Sequence, residues 1–159
     1  MFDAESIKKQ VSERLTVAVS EIQASMQANG VNASGRTSAS FRVETTDDGV
    51  QLIGGGDDTA PVATLEVGRK GGNVPAGFAG ILEQWSRDKG LVFETESRRK
   101  SFAYLLGRKI AREGTQRSKE PQDVYSSIVQ QAADDIKDIV LTQLTSVVTG
   151  DVLHDFKKQ

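Results

Sequence analysis

Thr37-Ser38-Ala39-Ser40-Phe41-Arg42-Val43-Glu44-Thr45-Thr46-Asp47-Asp48-Gly49-Val50-Gln51-Leu52-Ile53 is the stretch that decides the fold class. Thr37 to Thr46 alternates around Phe41 and is rich in β-branched residues, which suits a strand. Asp47-Asp48-Gly49 is a turn signal, because aspartate side chains bond nearby backbone and glycine tolerates turn geometry. Val50-Gln51-Leu52-Ile53 supplies a second short strand, so the spacing predicts a β-hairpin with a three-residue, glycine-containing connection. Gly54-Gly55-Gly56-Asp57-Asp58 then breaks the strand.

Working outward, the flanking segments carry a helical period. Before the hairpin, Ile7, Val11, Leu15, Val19, Ile22 and Met26 recur in steps of three and four, which predicts a long helix from Asp3 to Asn29. Asp3 or Ser6 caps its start and Gly30 follows its end. Val31 to Arg36 is a loop by composition. After the hairpin, Ala60 to Val67 is expected to make one or two helical turns opened by Pro61. Gly68-Arg69-Lys70-Gly71-Gly72-Asn73 is expected to be a flexible surface loop, since it lacks the spacing of a phosphate-binding loop and a strand before it. Gly77 to Lys89, carrying Phe78, Ile81, Leu82 and Trp85, is a helix with Trp85 in the core. Ser97 to Glu113, with Phe102, Leu105, Leu106 and Ile110, is another. Pro121 begins a final long helix to Thr149, its buried stripe marked by Val124, Ile128, Ala132, Ile136, Ile139, Val140 and Leu144, and Gly150 ends it. The expected class is α+β: a long N-terminal helix, a small antiparallel hairpin and three further helices, including a long C-terminal one. Residues 1–150 form a single domain and 151–159 a flexible tail.

Composition removes several function classes. The 159 residues include no cysteine and one histidine, His154, which is expected to be solvent-exposed in the tail. That argues against disulfide scaffolds, zinc fingers, thiol nucleophiles, multi-histidine metal sites and histidine-based triads. The acidic start lacks the apolar run of a signal peptide, and no stretch is long and apolar enough for a membrane span. Asp47-Asp48 and Asp57-Asp58 are paired carboxylates, which can bind a metal, but in turns they serve as turn formers. Asp134 and Asp138 lie one helical turn apart and are expected to form a solvated face. The chain is expected not to be an enzyme, with no catalytic residue, no metal and no cofactor.

The net charge of −2 conceals a polarised chain. Glu44 to Glu66 holds six acids and no base, whereas Arg98 to Lys119 holds eight bases and one acid. Three readings stand: two solvated faces, head-to-tail association of acidic and basic surfaces, or phosphate binding by the basic segment without aromatic interleaving. Head-to-tail contacts of this kind close into rings. Under that reading the subunit-interface candidates are the acids Asp57, Asp58 and Glu66, and the bases Arg69, Arg98, Arg99, Arg108 and Arg112. The phosphate reading makes the chain a small DNA-binding or regulatory protein acting through residues 98–119.

The order of these signals resembles the tail-completion, or head–tail joining (neck), family of long-tailed bacteriophages. A long helix leads into Ser34-Gly35-Arg36-Thr37-Ser38-Ala39-Ser40, a hairpin follows, and then Leu65-Glu66-Val67-Gly68-Arg69. Phe102 to Thr115 is also similar to a stretch common in such phage proteins. Leu65 stands where the family has an aromatic, and the helical insert from Pro75 to Glu94 is larger. The resemblance implies a structural virion protein: a homo-oligomeric ring at the head–tail interface, assembled in the host cytoplasm. The implied neighbours are further copies of itself, portal or adaptor proteins and tail-tube proteins, with DNA passing through the channel without sequence-specific contact, and no membrane. Tail completion, tail termination and other ring roles stay open.

Overall fold

The computed structural model describes residues 3–56 and 62–156. Among the described residues the fold is mixed α+β, with six helices and a two-stranded antiparallel sheet. The elements are α1 (Ala4–Ala28), α2 (Arg36–Ala39), β1 (Arg42–Thr46), β2 (Gly49–Ile53), α3 (Thr64–Val67), α4 (Phe78–Asp88), α5 (Glu96–Glu113) and α6 (Ser126–Phe156), with a 3₁₀ turn at Gln116–Ser118.

The 25 residues of α1 span about 38 Å at 1.5 Å per residue. Asp3 caps it, its carboxylate accepting from the Ser6 amide at 3.1 Å. At the other end Gly30 takes a positive φ of 62°, and the Val31 amide reaches back to the Met26 carbonyl at 3.0 Å. This is a Schellman closure, and Val31 packs against the core that contains Met26. The buried residues are Leu15, Ala18, Ile22 and Met26, on the face that the apolar period marks.

α6 lies antiparallel against that face. Ile22 and Met26 share a core with Val124, Phe41 and Leu65, while Leu15 and Ala18 share one with Ala132. The hairpin covers this pair. Val43 opposes Leu52 and Thr45 opposes Val50, so period two puts these four on one face, and Val43, Val50 and Leu52 pack against the core. On the other face Arg42 pairs with Glu44 at 2.6 Å.

α4 and α5 form a second helical pair that packs mainly on itself. Its seam is narrow: Leu82 and Ser86 are buried on α4, Ala103 and Gly107 on α5. A Cβ added at Gly107 would stand in ordinary contact with Leu82 at 3.5 Å and Phe78 at 3.6 Å, so the seam has room for a methyl there. Two ties join the pair to the body. Lys89 Nζ donates to the carbonyls of Gly30, at 2.7 Å, and Asn32. At the other end, the Gly72 amide donates to the Ala111 carbonyl at 2.7 Å and the Thr115 amide to the Arg69 carbonyl at 2.8 Å.

Several expectations need correction. Thr37 to Ala39 is helix, not strand: Gly35 enters α2 with φ of 80°, and Ser40 donates its hydroxyl to the Thr37 carbonyl at 2.7 Å, so the strand starts at Arg42. The hairpin connection is the two residues Asp47 and Asp48, since Thr46 pairs with Gly49. The loop from Gly68 to Asn73 is tied to the end of α5, and its Gly71 lies where a Cβ would stand 2.8 Å from the Arg112 carbonyl oxygen. Trp85 is 37% exposed and Ile81 55%, because α4 has one packing partner and buries one narrow stripe. Leu144, placed in the buried stripe of the last helix, is 43% exposed. That helix starts at Ser126, not Pro121, and Gly150 does not end it: the backbone stays helical to Phe156. Pro61, Asp57 and Asp58 lie outside the described residues, as does the His154 side chain.

Candidate self-association surface

The acidic half of the expected interface is Asp57, Asp58 and Glu66. Only Glu66 lies within the described residues, and it is engaged inside the fold. α3 presents it to the start of α6, where four backbone amides lack helical partners. One Glu66 carboxylate oxygen accepts from the amides of Val124 (2.9 Å), Tyr125 (2.7 Å) and Ser126 (2.7 Å), and the other accepts from the Ser126 hydroxyl. Burial raises the pKa of this carboxyl, but the Ser126 hydroxyl and the three amides together outweigh it and hold the group down at about 2. Its own burial, and then the Glu66 charge beside it, push the Tyr125 hydroxyl up. Glu66 is therefore a cap donated by a distant segment.

The basic half divides in two. Arg69 is an internal strut: its amide donates to Thr115 Oγ1 at 2.9 Å, its guanidinium donates to the Asn73 carbonyl and lies 5.6 Å from the centre of the Phe78 ring. Arg99 closes the α4–α5 seam. It donates to the buried Ser86 hydroxyl at 3.0 Å and the Leu91 carbonyl at 3.2 Å, pairs with Glu96 at 3.3 Å and sits 4.9 Å from the centre of the Phe93 ring. Arg98, Arg108 and Arg112 point the other way. Arg98 pairs with Glu94 at 3.1 Å with both side chains well exposed, and Arg112 pairs with its neighbour Glu113 at 2.5 Å while staying 77% exposed. That arginine, through its hydrogen bond, holds the Glu113 carboxyl below the ordinary range. Arg108 is exposed, forms no ion pair among the described residues and lies 5.9 Å from the centre of the Tyr104 ring. Exposed pairs of this type contribute little stability, so these bases stay available to a partner.

Tyr104 is not singled out by the sequence reading, which counts Leu105 among the apolar residues of its helix, yet both are outward. Tyr104 is 56% exposed and Leu105 62%, both on the outer face of α5 with Arg108 and Arg112. The basic segment therefore does carry an exposed aromatic. A second outward face lies on α6, where Asp134, Asp138, Leu141, Thr145 and Val148 are all exposed. Their spacing of four, three, four and three keeps them on one stripe, with Asp138 at its edge, where it also lines the groove toward Arg14 on α1. Asp138 forms no ion pair among the described residues, while its neighbour Asp135 binds Arg14 at 2.6 Å and is held low by that bond.

Two grooves open along α1. One groove of about 380 Å³ lies between α1 and α6 around Arg14, Asp135 and Asp138. Another of about 500 Å³ lies between α1 and the hairpin turn, around Lys8, Glu13 and Asp47. Among the described residues no group of three His, Cys, Asp or Glu side chains is placed to hold a metal ion, and no helix is long and apolar enough to cross a membrane. No protein-family model, curated protein or solved structure matches the chain.

Proposed function

We propose that the protein is a structural subunit that works by self-association, forming a homo-oligomeric ring at the phage head–tail interface. The observation that carries the self-association is the amount of apolar surface left outside. Twelve large hydrophobic residues are exposed among the described residues, and six of them, Ile81, Trp85, Leu91, Val92, Tyr104 and Leu105, belong to the α4–α5 pair and its connection. Val92 is 94% exposed. Exposed apolar residues gathered on one helical pair and rimmed by charged ones support a surface that a partner covers. The place of the ring, at the neck, rests on the resemblance carried by Ser34 to Ser40, Leu65 to Arg69 and Phe102 to Thr115. That reading assigns the protein to the virion, with portal or adaptor and tail-tube proteins as neighbours.

Electron microscopy of the purified protein, with light scattering across a salt series, tests the reading. Closed rings are expected, with assembly weakening as salt rises. A protein that stays monomeric at every salt concentration and binds neither portal nor tail-tube protein overturns it. The competing DNA-binding reading draws on the outward Arg98, Arg108 and Arg112 with exposed Tyr104 between them. It requires duplex binding with a steep salt slope, and the absence of a mobility shift at low salt removes it.

A further inference from the structure

The geometry points to one specific contact between copies: the outward stripe of α6 in one subunit docks antiparallel on the outward face of α5 in the next. This rests on the self-association reading and names the surfaces that carry it. Three observations lead there.

The two faces carry exposed side chains, Arg112 and Asp134 being held only by their own-helix neighbours Glu113 and Gln130. Arg108 on α5 and Asp138 on α6 form no ion pair among the described residues, and Leu105 and Leu141 are 62% and 49% exposed. Second, the faces are complementary in kind: α5 offers bases beside an apolar patch, and α6 offers acids beside an apolar patch. Third, they match in register. With Leu141 opposite Leu105, a step of three residues places Asp138 opposite Arg108, and a step of seven places Asp134 opposite Arg112. Four residues the other way, Thr145 faces Ser101. Antiparallel helices advance equally along their common axis, so one register satisfies all four pairs.

The donor face and the acceptor face differ, so each copy gives α6 to one neighbour and receives α6 from the other. Such a heterologous contact gives a ring where the rotation from copy to copy closes, and an open filament where it does not.

The absence of cysteine makes the test direct. Leu105→Cys and Leu141→Cys are made as separate proteins, each oxidised alone and then as a mixture, with products read on a non-reducing gel. The mixture is expected to give a cross-linked dimer, and each variant alone to stay uncross-linked. Cross-linking of Leu105→Cys with itself, or none in the mixture while rings are visible by microscopy, overturns the contact and leaves the ring standing. Failure of the unsubstituted protein to assemble overturns both. Charge reversal supplies a second readout. Arg108→Asp and Asp138→Arg are each expected to weaken association at least about tenfold, and the double reversal to recover most of it. Both side chains lie on the surface, so circular dichroism should show the fold unchanged. A double reversal no better than the single ones counts against the pairing.

Discussion

Removing the negative charge from Glu66 should destabilise the whole protein, because this one carboxylate organises the start of the longest helix. In Glu66→Gln the side chain keeps its shape and one acceptor but loses the charge that three amides and a hydroxyl address. The magnitude follows from linkage. The group titrates at about 2 in the fold against 4.5 ordinarily, a depression equivalent to roughly 3 kcal/mol, which partial exposure reduces to about 2 kcal/mol. A depressed carboxyl stabilises the folded state above its unfolded pKa, and that contribution fades as pH falls toward the folded one. The difference between the native protein and Glu66→Gln should therefore be flat above about pH 5.5, about half gone near pH 3 and small at pH 2. Paired urea unfolding curves at each pH measure it, and taking the difference cancels the other carboxylates. A loss under about 0.5 kcal/mol at pH 7, or one that does not shrink in acid, would refute the capping role.

Other substitutions probe the packing. Gly71→Ala should cost about 1–3 kcal/mol, since the new methyl meets the Arg112 carbonyl oxygen at 2.8 Å; chemical denaturation gives the value. Gly107→Ala, in a helix with its methyl in ordinary contact with Leu82 at 3.5 Å, should instead gain about 0.5–1 kcal/mol and raise the melting temperature. Ile22→Ala removes a fully buried side chain and should lose about 2–5 kcal/mol, while Val17→Ala, 51% exposed on the same helix, should stay within about 0.5 kcal/mol by the same urea titration. Ser86→Ala leaves Arg99 without its buried acceptor and should cost about 1–3 kcal/mol, seen as a lower thermal midpoint.

The parts of the fold that were legible are those set by local period. α1 starts and stops where Asp3 and Gly30 place it, and α4 and α5 fall within a residue or so of their expected ends. The start of α6 was not legible, because its cap comes from Glu66, about sixty residues away. Pro121 suits a first helical turn, yet the amides that need partners belong to Val124, Tyr125 and Ser126, and the distant carboxylate fixes the start there. The segment from Thr37 to Ala39 misled for a related reason. Its composition fits a strand, but serine hydroxyls bond nearby carbonyls, and here they close a short turn of helix.

For the candidate surface, the count of charges was legible but their commitments were not, and a closer use of the helical period narrows that gap. Ala103 and Gly107 are four apart and small, which marks the line where another helix comes closest. Stepping back four residues along the same line reaches Arg99, so that base belongs to the seam, where Ser86 and Leu91 receive it. The opposite side of the same helix holds Ser101, Tyr104, Leu105, Arg108 and Arg112, all exposed. Phe102, Leu106 and Ile110 already fill the inward stripe, so Leu105 and Tyr104 are surplus to it and must face outward. One arginine thus joins the two helices of the pair while three others, Arg98, Arg108 and Arg112, stay available outside, although all four lie within one helix of eighteen residues. What separates them is angular position relative to the small-residue line, which also places the surplus apolar residues beside the free bases.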